Sequence, residues 1–147
     1  MTALSDPGRE FTDLLAEVSR VHGLLLAAGD GLAGPAGLTG ARWQVLAVVD
    51  HGPRTIADVA RAMGLTRQAV RQTATGLVRA GLAEFRDNVR DRRARLLAPT
   101  PRGRTALREV ELRQAEWAND LAARLPATGL RAVTGTLRHL GEVLQGR

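Results

Sequence analysis

The chain has 147 residues with 21 basic and 15 acidic side chains, which gives a net charge of +6, and it contains no cysteine. The length corresponds to one domain, and the missing cysteine excludes disulfides, thiolate metal sites and thiol-based redox sensing. No apolar run is long enough to span a bilayer, and the first ten residues lack the features of a signal peptide. A cytoplasmic protein is therefore expected.

The positive charge is concentrated in the middle of the chain. Between Gly52 and Arg104 there are 12 arginines and 4 acids, a net of +8, whereas the remainder has 9 arginines and 11 acids, a net of −2. A basic surface favours an anionic partner. The distribution predicts a basic binding region over residues 52–103, flanked by segments 9–50 and 104–147 with a different role.

The first predicted elements are two helices joined by a glycine-rich segment. Apolar residues recur with a helical period from Phe11 to Ala28, which predicts an amphipathic helix. Residues 29–40 contain five glycines and a proline, so this helix is expected to end inside or before that stretch. Thr39 is expected to cap a short second helix over Ala41–Val49.

The next two helices are short and closely spaced. The segment Thr55–Asp58 has the pattern of a capping box and opens a helix that Gly64 ends. Thr66 is expected to cap the following helix, Arg67–Ala80, which Gly81 stops. Two such helices separated by a short turn predict a helix-turn-helix.

After this motif the pattern changes to two short strands. Leu82–Arg86 and Ala94–Ala98 are expected to pair, with the charged residues 87–93 at the hairpin tip. Thr100-Pro101 then opens a long helix running to about Leu125, and a last helix follows the next proline.

The predicted fold class is mainly α, a winged helix-turn-helix with a small two-stranded β-wing. Segments 9–50 and 104–147 supply the flanking N- and C-terminal helices. The usual target of this arrangement is duplex DNA, with the second helix in the major groove and the hairpin beside it.

The second helix of the motif has an apolar stripe and a polar face. Val70, Ala74 and Leu77 recur at helical spacing and predict the buried side. On the opposite face, arginine can bind guanine and glutamine can bind adenine in the major groove. The candidate DNA-binding residues of this helix are Thr66, Arg67, Gln68, Arg71, Gln72 and Thr75. Arg71 and Gln68 are the predicted base readers, and the alternative is an ordinary solvated helix face.

The hairpin tip carries a cluster of arginines, a side chain favoured in a narrow minor groove. The candidate DNA-binding residues of the wing are Arg90, Arg92, Arg93 and Arg95. Asp91 lies among them and is expected to orient a neighbouring guanidinium. The alternative is a solvated hairpin with an incidental run of charge.

Several short segments, in order and at compatible spacing, resemble the MarR family of bacterial transcription regulators. The most specific is Asp91–Ala94 followed by Thr100–Gly103, which is similar to the family's wing and the start of its next helix. Weaker likenesses to the family's second helix, its helix-turn-helix and the exit from that motif lie at Leu38–Leu46, Thr55–Ala60, Gly64–Val70 and Leu77–Leu82.

The resemblance implies roles for the wing residues and shows two departures. Asp91 would brace a wing arginine, most simply Arg93, while another arginine of the tip, Arg90 or Arg92, enters the minor groove. Asn88 stands where the family often has an aspartate, so part of the usual bracing is expected to be lost. A proline, at position 99, stands where a leucine precedes the threonine, which removes a strand N–H and a core contact.

The resemblance also implies partners. The expected protein is a homodimer in which the helices of segments 9–50 and 104–147 form the dimerisation domain. It is expected to bind a palindromic double-stranded DNA operator and to act as a repressor released by a small-molecule effector, such as an aromatic or phenolic acid. Candidate effector-binding residues are His22, Leu25, Trp43 and Trp117. The alternative for the tryptophans is an ordinary core position on a helical apolar stripe.

Other functions are not favoured by the sequence. No cofactor, metal or membrane partner is expected, and the parts of an enzyme active site are not recognised, so the protein is not expected to be an enzyme. The alternative function is a winged-helix DNA-binding or protein-interaction module without an effector.

Overall fold

The computed structural model describes residues 2–146, which form six α-helices and one two-stranded antiparallel sheet. The helices are α1 Asp6–Ala33, α2 Gly40–Asp50, α3 Ile56–Met63, α4 Arg67–Arg79, α5 Pro101–Ala122 and α6 Ala127–Leu144. The strands are β1 Ala83–Arg86 and β2 Leu96–Pro99. The chain divides into two compact units, one up to Val110 and the other from Glu111 onwards. The predicted fold class, mainly α with a small wing, is confirmed. The assignment of segments 9–50, 52–103 and 104–147 to separate roles stays a prediction.

Threonine hydroxyls begin the second, third and fourth helices, as predicted. Thr39, Thr55 and Thr66 each accept a hydrogen bond at 3.1 Å from the backbone N–H three residues further on. Each bond satisfies an N–H that has no partner inside its helix. Gly64 closes α3 in the left-handed region with φ of 65°, which turns the chain directly into α4.

The first helix extends beyond the predicted Phe11–Ala28 at both ends. Ser5 caps its start, since the Ser5 hydroxyl oxygen accepts a first-turn backbone N–H at 3.1 Å. The helix then continues into the glycine-rich segment as far as Ala33, which is fully buried. In this last turn, Asp30 accepts the backbone N–H of Gly40 at 2.7 Å and so joins α1 to the start of α2.

The wing is an antiparallel hairpin in which Ala83 lies opposite Pro99. Arg54 adds a short third segment, because its backbone exchanges two hydrogen bonds with that of Leu97, at 3.2 and 2.7 Å. Pro99 ends β2 and is buried. The proline therefore occupies an interior position, and the expected loss of a core contact stays a prediction.

The core of the first unit lies where the helix-turn-helix, α2, β2 and the start of α5 meet. Its largest fully buried side chains are Leu46, Leu77, Leu97, Leu107, Val45, Val49, Val59, Val70 and Val110. The predicted apolar stripe of α4 is buried, with Val70, Ala74 and Leu77 inaccessible to solvent. Burial of this stripe fixes which face of α4 points outwards.

The second unit contains the end of α5 and all of α6, and none of its described residues is buried. Leu130, Val133 and Leu137 recur at helical spacing on α6 and are 40–57% exposed. Such a stripe is typical of a helix that packs against a partner. Within residues 2–146, no helix is both long and apolar enough to cross a membrane.

Candidate nucleic-acid interface

The first turns of α4 present the predicted base-reading side chains to solvent. Five of the six candidates on this helix are exposed, and the sixth, on its third turn, is partly buried. The exposed ones are Thr66, Arg67, Gln68, Arg71 and Gln72, and the partly buried one is Thr75. Because the opposite face of α4 is buried in the core, the exposed face has a fixed direction and its side chains can contact a DNA duplex.

A cleft of about 360 Å³ lies between the start of α4, the start of α3 and the wing. Four of the predicted DNA-binding arginines line it, namely Arg67, Arg71, Arg93 and Arg95. Thr55, Ile56 and Ala57 form the wall at the first turn of α3, the positive end of that helix dipole. Cationic groups in a concave site concentrate a positive potential, which favours a phosphate or another anion.

Most predicted DNA-binding arginines of α4 and the wing form no ion pair with an acidic side chain of the described residues. No acidic side chain of residues 2–146 lies within ion-pair distance of the α4 pair, Arg67 and Arg71, or of the wing residues Arg90, Arg92 and Arg93. An arginine without an internal partner remains available to bind phosphate oxygens or base edges.

Asp91 contacts Arg93, but through the backbone rather than through the guanidinium. Its carboxylate oxygen accepts the Arg93 backbone N–H at 3.0 Å. This bond orders the turn at the hairpin tip. Asp91 therefore shapes the wing backbone, and Arg93 lines the cleft.

Asn88 braces the wing, a role that the sequence reasoning missed. Its Nδ2 donates to the carbonyl oxygen of Ala94 at 2.9 Å, and its Oδ1 accepts the backbone N–H of Arg90 at 3.1 Å. An ionised aspartate has no donor for the Ala94 carbonyl. The amide therefore links both sides of the hairpin tip, so the asparagine supplies bracing of its own at this position.

Arg95 differs from the other wing arginines because it is attached to the neighbouring strand. Its Nη2 donates to the carbonyl oxygen of Phe85 at 3.1 Å, and its guanidinium lies 5.6 Å from the centre of the Phe85 ring. Such a cation–π contact contributes about 0.5–1 kcal/mol at an exposed site. Arg95 thus both lines the cleft and holds the two strands together.

Asp58 completes the predicted capping box at the start of α3. Hydrogen bonding from Thr55 holds the pKa of the Asp58 carboxyl below its usual range, and the Arg61 guanidinium, which forms an ion pair with it, acts in the same direction. The carboxylate is therefore kept negative at the positive end of the α3 dipole.

The four candidate effector-binding residues occupy different environments. His22 and Leu25 are exposed on α1, whereas Trp43 is half-buried on α2 and packs against the core. Trp117 is half-buried on α5. The position of Trp43 agrees with the core interpretation, and an effector role for all four stays a prediction. In the described chain, no three histidine or carboxylate side chains group as metal ligands.

A helix-turn-helix with a basic outer helix face and an arginine-rich hairpin defines a winged-helix transcription regulator that binds DNA. The model of the MarR family matches residues 36–94, which include the whole helix-turn-helix and the tip of the wing. The chain belongs to the MarR family.

Further comparisons find similar proteins over most of the chain. An uncharacterised protein of Mycobacterium tuberculosis is 38% identical over 131 residues, which are 89% of this chain and 92% of the relative. The crystal structure of CouR from Rhodococcus jostii RHA1 bound to p-coumaroyl-CoA is similar with a TM-score of 0.75 and 27% identity over 95% of both chains. Staphylococcus aureus MarR in complex with salicylate and kanamycin shares the fold with a TM-score of 0.81 and 15% identity over 99% of both chains.

Proposed function

We propose that this protein is a homodimeric repressor that binds a palindromic DNA operator through α4 and the wing. The observation that carries the proposal is the cleft, in which Arg67 and Arg71 of α4 lie beside Arg93 of the wing. In this arrangement α4 enters the major groove while the tip of the wing follows the adjacent minor groove. Contacts of the arginines with phosphates supply affinity, and the side chains of Arg71 and Gln68 supply sequence choice.

The exposed apolar faces of the end helices support dimerisation. On α1 the only buried residue is Ala33, whereas Phe11, Leu15 and Val18 are 38–44% exposed on its apolar side. The apolar stripe of α6 is exposed in the same way. Most of the stability of such helices comes from packing of the apolar face rather than from helix propensity. A second copy of the chain supplies that packing in our proposal.

Selection of duplexes from a random pool tests the DNA-binding part of the proposal. The bound duplexes should share a palindrome whose half-sites are centred about 10 base pairs apart, because each copy of α4 occupies one major groove. The affinity for the selected duplex should fall linearly with salt on logarithmic axes. Absence of a shared sequence, together with a salt-independent affinity, would contradict DNA binding and favour a protein-interaction module.

We also propose that an aromatic acid releases the repressor from its operator. The support comes from similar proteins, since S. aureus MarR is in complex with salicylate, an aromatic acid, as well as with kanamycin, and CouR is bound to p-coumaroyl-CoA, the thioester of an aromatic acid. A releasing ligand must bind the DNA-free arrangement of the dimer more tightly than the DNA-bound one. The candidate ligand residues remain His22, Leu25, Trp43 and Trp117, of which Trp43 also packs against the core.

A reporter assay and a titration test repression and release. The DNA upstream of the protein's own gene should drive less reporter expression when the protein is present. Salicylate, p-coumarate and p-coumaroyl-CoA are then titrated into the protein–duplex complex, with benzyl alcohol as an uncharged aromatic control. A fall in DNA affinity with an acid supports release. An unchanged affinity with all three favours a winged-helix regulator without an effector.

A further inference from the structure

Val89 is a large apolar side chain at the tip of the wing, and it is 93% exposed, more than any other described large apolar residue. Its chain neighbours are polar, Asn88 on one side and Arg90 on the other. Its side chain therefore makes almost no contribution to the core of the protein. Complete hydration of an apolar side chain is unfavourable, so burial of Val89 against a partner would be favourable.

The backbone around Val89 is held in place. Asn88 bonds forward to the N–H of Arg90 at 3.1 Å and across the hairpin to the carbonyl of Ala94 at 2.9 Å. The valine side chain itself is stiff, because two heavy atoms on its β-carbon restrict χ1. A residue held in this way loses little conformational freedom when it is inserted into a groove.

The charges around Val89 indicate which partner covers it. Arg90 and Arg92 are exposed, and neither forms an ion pair with a described acidic side chain. The exposed carboxylates of Asp87 and Asp91 also belong to this tip, but the three arginines of residues 87–93 leave it with a net charge of +1. An excess of arginine is complementary to a polyanion and favours the minor groove of DNA, where the potential is most negative. Apolar side chains are known to enter minor grooves beside arginines.

An apolar side chain at the floor of the minor groove can distinguish A·T from G·C base pairs. An A·T pair presents only acceptor atoms there, whereas a G·C pair adds the protruding guanine N2 amino group. Valine cannot accept a hydrogen bond from that amino group, and contact with it would remove the group from water. A valine at the floor therefore favours A·T over G·C.

We propose that Val89 is a specificity-determining residue that enters the minor groove and selects A·T base pairs beneath the wing. The proposal rests on the proposed DNA-binding function. It assigns sequence choice to the wing as well as to α4, at a position without a charge or a hydrogen-bonding side chain.

The test uses a duplex selected by the parent protein from a random pool. Hydroxyl-radical protection locates the base pairs under the wing, which are then made A·T, G·C or inosine·cytosine. Inosine lacks the N2 amino group but keeps the major-groove edge of guanine. The parent should bind the A·T and inosine·cytosine duplexes alike and the G·C duplex about tenfold more weakly, within the usual range for one unfavourable base pair.

Val89→Ala should bind the A·T duplex about fivefold more weakly, since most of the apolar contact is lost. Its ratio of affinities for the A·T and G·C duplexes should fall towards one. The salt dependence should not change, because no charge is removed. Val89→Ile is the matched control that keeps a branched apolar side chain and should keep the ratio. Arg92→Ala should instead reduce the salt slope.

The outcomes distinguish the proposed role of Val89 from the proposed DNA-binding function on which it rests. If Val89→Ala keeps the parent's ratio of affinities for the A·T and G·C duplexes, the proposed role of Val89 is overturned, whether or not its affinity for both duplexes falls. DNA binding itself would remain supported. Failure of the parent to select any duplex would contradict the proposed function itself. Because Val89 is exposed, the variant is expected to fold, and its circular dichroism and thermal midpoint verify this.

Discussion

The carbonyl oxygen of Leu82 lies directly against Gly103, so that a β-carbon at residue 103 would be 1.9 Å from it. Gly103 is buried in the first turn of α5. Beside it, the Thr100 hydroxyl donates to the carbonyl of Gly81 at 2.7 Å and accepts the N–H of Gly103 at 3.1 Å. These contacts fix the start of α5 against the exit from the helix-turn-helix.

Gly103→Ala should strongly destabilise the protein, because the added methyl group meets a backbone atom that cannot move aside without disturbing the chain. We expect a loss of about 3 kcal/mol in the free energy of unfolding, at the upper end of the range for overpacking. Urea denaturation at one protein concentration measures it. Gly31→Ala is the control, since no atom lies within 4 Å of a β-carbon there. Equal midpoints for Gly103→Ala and the parent would contradict the contact.

Arg71→Ala should relax the sequence preference of the protein, since Arg71 is the predicted guanine reader of α4. Loss of one bidentate contact should lower discrimination at one base-pair position by about 1–3 kcal/mol. Competition between the selected duplex and single-base variants measures this. Arg79→Ala removes the same charge from the last turn of α4 and is the matched control. If both variants kept the parental preference, the assignment of the reading face would be wrong.

Arg92→Ala and Arg95→Ala should differ although both remove one wing arginine. Arg92→Ala should weaken binding to all duplexes similarly and lower the salt slope by about one. Arg95→Ala should also lower the thermal midpoint, because its bond to Phe85 and the stacking on that ring are lost. Anisotropy and melting curves on both variants distinguish the two effects. Identical melting of all three proteins would argue against a bracing role for Arg95.

Asp58→Asn should flatten the dependence of stability on pH in the acid range. The pKa of Asp58 is lowered in the folded protein, so the carboxylate stabilises the fold above its ordinary value of 3.8. This contribution is lost as pH falls through the lowered pKa, from about pH 5 towards pH 2. The thermal midpoints of parent and variant, measured across that pH range, should differ most at its upper end and become similar at its acid end. Thr55→Val should resemble Asp58→Asn, whereas Thr55→Ser should resemble the parent.

Val133→Asp should disrupt the proposed dimer, because it places a charge in the apolar stripe of α6. Sedimentation velocity should show a shift towards monomer, and affinity for a palindromic duplex should fall because the two half-sites are no longer bound together. Ala132→Asp introduces the same charge outside the stripe and should remain dimeric. A dimeric Val133→Asp protein would place the interface elsewhere.

The features that the sequence predicted best are local ones. Thr39, Thr55 and Thr66 begin helices because a threonine hydroxyl three residues before a backbone N–H is sufficient to cap it. The apolar stripe of α4 follows from spacing alone. The missed start of α1 also had a local signal, Ser5 followed by Asp6 and a proline, which is typical of a helix N-terminus.

The features that sequence reasoning missed depend on contacts between distant segments. Asn88 braces the wing only once the hairpin brings the Ala94 carbonyl within reach. Arg95 reaches Phe85 because of the strand register, which the sequence did not specify.

The affinity of the protein for its selected duplex at increasing salt tests the central claim, that the arginine-lined face of α4 and the wing binds DNA. If six to ten phosphates are neutralised, the affinity should fall by about 10³–10⁵ between roughly 50 and 200 mM salt, in a straight line on logarithmic axes. An affinity that stays constant over this range would contradict the account.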